Sequence, residues 1–146
     1  MIARIETDLP ASAEKVWAAL LRPDTLLHIT RGMLGFRGSE RWPETFEEGA
    51  RLETRLVFFH LIPGWQHTLR ILRVAEEDLE LVSEEGGGPV RRWNHRVRLE
   101  RISRQMCHYV DEIDIRAGVL TPAVWAFAQV FYRYRQRRWR RLAETL

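Results

Sequence analysis

Polar and apolar positions alternate most regularly between Trp93 and Ile115. Trp93, His95, Val97 and Leu99 alternate with Arg92, Asn94, Arg96, Arg98 and Glu100. That is the period of two expected of a strand with one covered and one wet face. In the following stretch Cys107, Tyr109, Asp111, Ile113 and Ile115 share one side, and Met106, His108, Val110, Glu112 and Asp114 the other. Ile113 and Ile115 select the odd set as the inner one. Tyr109 and Asp111 therefore lie on the same covered side as Trp93 and His95, where a carboxylate requires a partner.

The same reading extends along the chain. Ile2 to Leu9 alternates as a strand that Pro10 ends. Ser12 is an N-cap for a short helix through Leu21, in which Val16, Trp17 and Leu20 recur at helical spacing. Pro23 stops that helix, and Asp24 caps a second from Thr25 to Ile29. Strands follow over Met33–Gly38 and Arg51–His60, and Pro63–Gly64 marks a tight turn into Trp65–Ala75, with Trp65, His67, Leu69 and Ile71 inside. Leu79–Glu84 is a further strand, and Gly86–Gly88 a loop before the central pair. The last element opens with Thr121 as N-cap and Pro122 in the first turn, and runs as a helix to about Glu144. Its apolar stripe is Leu120, Val124, Phe127, Phe131, Tyr134 and Leu142, and Arg133, Arg137 and Arg140 face the other way. This order predicts an α+β fold in which seven antiparallel strands, six of them consecutive, curve around the final helix, the only element long enough to cover the sheet.

Composition narrows the class. The chain has 146 residues, 45% hydrophobic and 29% charged, which suits one globular domain over residues 1–146 with a real core. No apolar run approaches the roughly 20 residues that span a bilayer. The N-terminus lacks the pattern of a signal peptide. The single cysteine, Cys107, excludes an internal disulfide and fits a reducing, cytoplasmic setting. The net charge of +3 is small, and acidic residues share the strands with the arginines. Nucleic acid is therefore not implied by charge alone.

Several motifs carry a family resemblance over essentially the whole chain: Ile29-Thr30, Gly35-Phe36, Glu48-Gly49, Ile62-Pro63-Gly64-Trp65, Gly88-Pro89 followed by Trp93-Asn94-His95, and Asp111-Glu112-Ile113-Asp114 followed by Gly118. The sequence resembles the SRPBCC or START-like superfamily, and within it the bacterial ligand-binding subgroup of cyclase/dehydrase-like proteins. It departs from that pattern at Val90, Ile113 and Ile115. The resemblance implies the helix-grip fold and a cavity between sheet and C-terminal helix. The strand phases then name the lining: Leu56, Phe58, Trp65, His67, Leu69, Trp93, His95, Val97, Tyr109, Asp111, Phe127 and Phe131.

Such a pocket suits a hydrophobic or amphipathic small molecule oriented by a few polar groups. Trp93 and Phe127 read first as plain core and second as ligand-stacking rings. His67 and His95 divide evenly between satisfied core groups and cavity donors. His28, His60 and His108 read as structural or surface groups, and Cys107 as a small core residue. Asp111 demands a pair with His95 or an arginine, and a structural pair stands level with a catalytic one. As a catalytic pair, Asp111 would orient His95 as a general base, with Tyr109 or His67 polarising a carbonyl. No metal or cofactor is expected: the histidines show no His-x-x-x-His spacing, the glycines lack a following lysine, and there is no serine nucleophile elbow. The arginine run Arg133, Arg135, Arg137, Arg138, Arg140 and Arg141 with Trp139 reads as a solvated helix end, where the dipole favours cations. Arg138 alone projects into the apolar stripe, where it could snorkel, or meet an acidic group of the sheet or a ligand carboxylate at the cavity mouth. The sequence thus leaves a small-molecule binder, an enzyme of the cyclase or dehydratase kind, and an interaction protein using the basic helix end.

Overall fold

The computed structural model describes residues 1–146. Seven strands form one antiparallel sheet in the order β1-β7-β6-β5-β4-β3-β2. They are β1 (Ile2–Leu9), β2 (Leu34–Arg37), β3 (Arg51–Phe58), β4 (Ile62–Ala75), β5 (Glu80–Gly87), β6 (Val90–Ser103) and β7 (Met106–Arg116). Two short helices, α1 (Ala13–Leu20) and α2 (Pro23–Thr30), carry the chain from one sheet edge to the other, and α3 (Thr121–Ala143) closes it. The architecture expected from the alternation is present, and with it the helix-grip fold that the resemblance implied: a curved seven-stranded sheet, two short helices after the first strand, and one long C-terminal helix.

Local signals explain most boundaries. Ser12 accepts a hydrogen bond from the Lys15 amide and caps α1. Pro23 does not merely stop α1 but occupies the first turn of α2, so Asp24 lies inside that helix and is not its cap. Thr121 is likewise the first residue of α3; its hydroxyl accepts from the Ala117 amide and donates to the Gly118 carbonyl, which fastens the preceding 3₁₀ turn.

The β3–β4 turn is displaced from Pro63–Gly64 to Phe59–Leu61, where Phe59 and His60 take positive φ of 53° and 63°. Pro63 pairs with Val57 inside β4 beside a register shift in β3. A side chain on Gly64 would meet the Leu56 carbonyl at 2.9 Å and the Phe58 ring at 2.8 Å, so glycine there serves a bulge. Gly86 and Gly87 extend β5 and are not a loop, because a Cβ on Gly87 would lie 2.1 Å from the Gln66 carbonyl of β4.

The apolar material falls into two clusters. One joins α1, Ile29, β3–β7 and the end of α3 through Trp139 and Ala143. The other joins Ala3, Ile5, Ile113 and Ile115 to Ala128, Phe131 and Tyr132. The helix is moored on both sides: Trp125 and Gln136 donate to the Ile2 and Ile5 carbonyls, and Tyr134 and Arg138 donate to the Arg31 and His28 carbonyls. The face of α3 that packs on β1 and β7 is Ala128, Tyr132, Gln136, Trp139 and Ala143, roughly a third of a turn from the expected stripe at 100° per residue. Leu120, Val124, Phe127 and Phe131 instead overlook an internal space between α3 and strands β3–β6.

Candidate functional site: an apolar cavity with two histidine–carboxylate pairs

That space is a cavity of about 390 Å³. It lies at the lower end of the roughly 300–1,000 Å³ typical of small-molecule sites. Its walls are the inward residues of the alternating strands, among them Leu56, Phe58, Trp65, Leu69, Trp93 and Val97, facing Phe127, Phe131 and Tyr132 of α3. Aromatic rings dominate one end, where Phe58 packs on Trp65 and meets Phe127 edge-on, and Phe127 stacks on Phe131. Pro89, Leu120 and Ala123, all exposed, form the rim.

Set into the apolar wall is a small polar group. His95 is buried, and its Nε2 lies 2.7 Å from Asp111 Oδ1. The two residues are diagonal neighbours, since His95 pairs with Ile113 and Val97 with Asp111. Asp111 is fully buried behind the histidine, and its other oxygen accepts from Gln136 Nε2 at 3.0 Å. A neutral His95 therefore donates Nε2–H to the carboxylate and turns its Nδ1 lone pair away from Asp111. Nδ1 has no protein partner and is not sealed off, which leaves it open to the cavity.

A second pair sits beside the first. His67 Nε2 is 3.1 Å from Glu85 Oε1, and the Ser83 hydroxyl donates to Glu85 Oε2 at 2.9 Å. Burial alone would raise the Glu85 pKa, but the bonds from His67 and Ser83 and the nearby His95 hold it below the ordinary carboxylate value. His67 Nδ1 is buried without a partner.

Tyr132 organises the floor. Its hydroxyl accepts from Trp93 Nε1 at 3.0 Å, and its ring meets the His95 imidazole at 5.0 Å between centroids. Burial, with Glu85 and Asp111 nearby, raises its pKa, so it stays a phenol. Arg135, only 4% exposed, lays its guanidinium over the same ring at 4.8 Å. Burial opposes the arginine's charge, but the nearby carboxylates Asp111 and Glu85 hold its pKa above the ordinary value.

Of the residues singled out from the sequence, Phe58, Trp65, His67, Trp93, His95, Phe127 and Phe131 converge on the cavity. Tyr109 does not: it is sealed against Trp139, with ring centroids 5.4 Å apart. Asp111 reaches the space only through His95. Arg138 is displaced furthest, lying outside on α3 with its guanidinium over Tyr134 and its Nε donating to the His28 carbonyl. The arginine that faces the cavity is Arg135. Trp139, read with the arginine run as surface, is fully buried. Ser83, Glu85, Tyr132, Arg135 and Gln136 were not anticipated. The odd positions Ser83 and Glu85 could have been found by extending the β5 alternation past Leu81.

Fold and cavity define a helix-grip protein with an aromatic, mostly apolar internal chamber. Solved structures agree on the fold. A protein from Chromobacterium violaceum superposes with a TM-score of 0.76 at 13% identity, over 98% of this chain and 96% of that one. A START superfamily protein from Mycobacterium smegmatis gives 0.68 at 10% identity, over 99% and 97%. The Zhui aromatase/cyclase from Streptomyces sp. R1128 gives 0.71 at 11% identity, over 99% and 93%. No protein-family model and no curated protein matches the sequence. No helix is long and apolar enough to cross a membrane.

Proposed function

We propose that the protein binds a hydrophobic or amphipathic small molecule in the chamber between α3 and the sheet. The observation that carries this reading is the chamber itself: well-packed interiors leave few voids larger than a water molecule, and this one is about 390 Å³ and walled by aromatic rings. Native mass spectrometry of the purified protein, followed by denaturing extraction, looks for a stoichiometric apolar compound. Titration with the neutral dye N-phenyl-1-naphthylamine gives a second test. Ala123→Trp at the exposed rim should weaken dye binding at least tenfold without changing the unfolding temperature. Binding that ignores this plug would place the dye elsewhere and defeat the proposal.

A second reading is favoured by the orientation of His95. An imidazole fixed by a buried carboxylate, with its free nitrogen toward the bound molecule, is arranged for proton transfer to or from a ligand. The fold likeness to an aromatase/cyclase is consistent with such chemistry. In this reading His95 moves the proton and Asp111 positions His95. Deuterium uptake from solvent into the extracted ligand, lost in His95→Gln while the ligand still binds, is the expected result. Equal uptake in both proteins would return the pair to a structural role.

A further inference from the structure

We infer that the ligand carries one carboxylate and that Arg135 receives it. This rests on the binding reading above and specifies its substrate class as an apolar or aromatic monocarboxylate.

Arg135 is the one charged group in the chamber that the protein leaves unanswered. Its guanidinium makes no hydrogen bond and no salt bridge, and Nε is buried with no acceptor. The terminal nitrogens also lack partners but are not sealed, and Arg135 lines the chamber. Neighbouring carboxylates are already committed: Asp111 to His95 and Gln136, Glu85 to His67 and Ser83. Neither comes within ion-pair distance of the arginine.

A buried cation with no hydrogen-bonded partner is costly even with the Asp111 and Glu85 charges nearby, and arginine cannot escape by losing its proton. Part of that cost is met by the Tyr132 and Phe131 rings at 4.8 and 5.8 Å, which stack against the guanidinium and leave donors at its edge. What completes the site is a planar anion matching the guanidinium fork, which a carboxylate does with two parallel hydrogen bonds. The remaining wall is apolar and aromatic, so the rest of the molecule is a hydrocarbon or aromatic body. Because Tyr132 touches both Arg135 and His95, an anchored carboxylate sets the adjoining atoms beside His95.

The test compares 2-naphthoate with its neutral counterpart 2-naphthalenemethanol by isothermal titration at pH 7 and fixed salt, in the wild type, Arg135→Met and Arg135→Lys. The acid should bind the wild type at least tenfold more tightly than the alcohol. Arg135→Met should abolish that preference while leaving the alcohol's affinity within about threefold, and Arg135→Lys should restore part of it. An alcohol that binds the wild type as tightly as the acid overturns the carboxylate inference and leaves the chamber reading intact. A preference that survives Arg135→Met also overturns it, by putting the anion on another group. If neither compound binds, the chamber reading fails and this inference falls with it. The wild-type comparison decides even if a variant does not fold.

Discussion

Replacing Asp111 by asparagine separates the charge of the buried pair from its shape. Both carboxylate oxygens are in use, Oδ1 by His95 at 2.7 Å and Oδ2 by Gln136 at 3.0 Å. Asparagine keeps the volume and one acceptor. Gln136 also donates to the Ile5 carbonyl from the same amide nitrogen, so it stays a donor and claims the asparagine oxygen. The new NH₂ then faces His95 Nε2. The imidazole can answer by changing tautomer, accepting at Nε2 and carrying its hydrogen on Nδ1. No group is stranded, and what is lost is the charge assistance of two bonds, about 1–3 kcal/mol in total. At roughly 3 °C per kcal/mol for a chain of this size, the unfolding temperature should fall by about 3–9 °C. Asp111→Ala strands both donors and should cost about 3–5 kcal/mol. Urea denaturation followed by tryptophan fluorescence measures the two costs, and long-range ¹H–¹⁵N spectra of the histidines report the tautomer. The wild type should show His95 protonated on Nε2 and Asp111→Asn on Nδ1, turning the chamber-facing nitrogen from acceptor to donor. An unchanged tautomer, or an asparagine variant as unstable as the alanine one, would refute this account of the pair.

Three further outcomes follow from the same structure. Gly87→Ala places a methyl group 2.1 Å from the Gln66 carbonyl, a backbone atom that can yield only if β4 and β5 part; urea titration should show a loss of about 1–3 kcal/mol, and a change under 0.5 kcal/mol would contradict the close approach. The His108 pKa is raised above 6.5, first by its hydrogen bond to Asp8, against partial burial. That contribution to stability is complete below about pH 6.5 and disappears as pH rises through the raised value. His108→Gln should therefore destabilise more at pH 5.5 than at pH 8.5 in parallel urea titrations, and an equal or reversed difference would dismiss the pair. Burial first, then Asp8 and Glu14, pushes the Cys107 thiol up to about 11. Ellman's reagent at pH 8 should leave the native protein unlabelled and take up one equivalent in urea; prompt native labelling would show the site to be open.

The strand half of the site was legible in the sequence because alternation depends only on the backbone. Once Val97, Ile113 and Ile115 fix the covered face, His95 and Asp111 must share it, and a buried carboxylate must find a donor. The helix half was not legible. Phasing α3 by its apolar residues assumes that the buried face is the apolar one, but here that face includes Arg135 and Gln136. Leu120, Val124 and Phe127 are only partly covered because they line the chamber, so the most hydrophobic stripe is not the most buried. Trp139 was hidden for the same reason, being flanked in sequence by arginines that point to water.

By itself, then, the sequence determined the element order, the covered face of each long strand and the need for a long helix to close the sheet, because these follow from periods of two and 3.6 residues that any chain must obey. It also determined that Asp111 required a partner. Only the tertiary structure decided which partner that was, that Arg135 and not Arg138 faces inward, and that His67 meets Glu85. Those outcomes depend on strand register, on the rotation of α3 about its axis and on the bulges at Pro63 and Gly64, each set by packing among residues far apart in the chain.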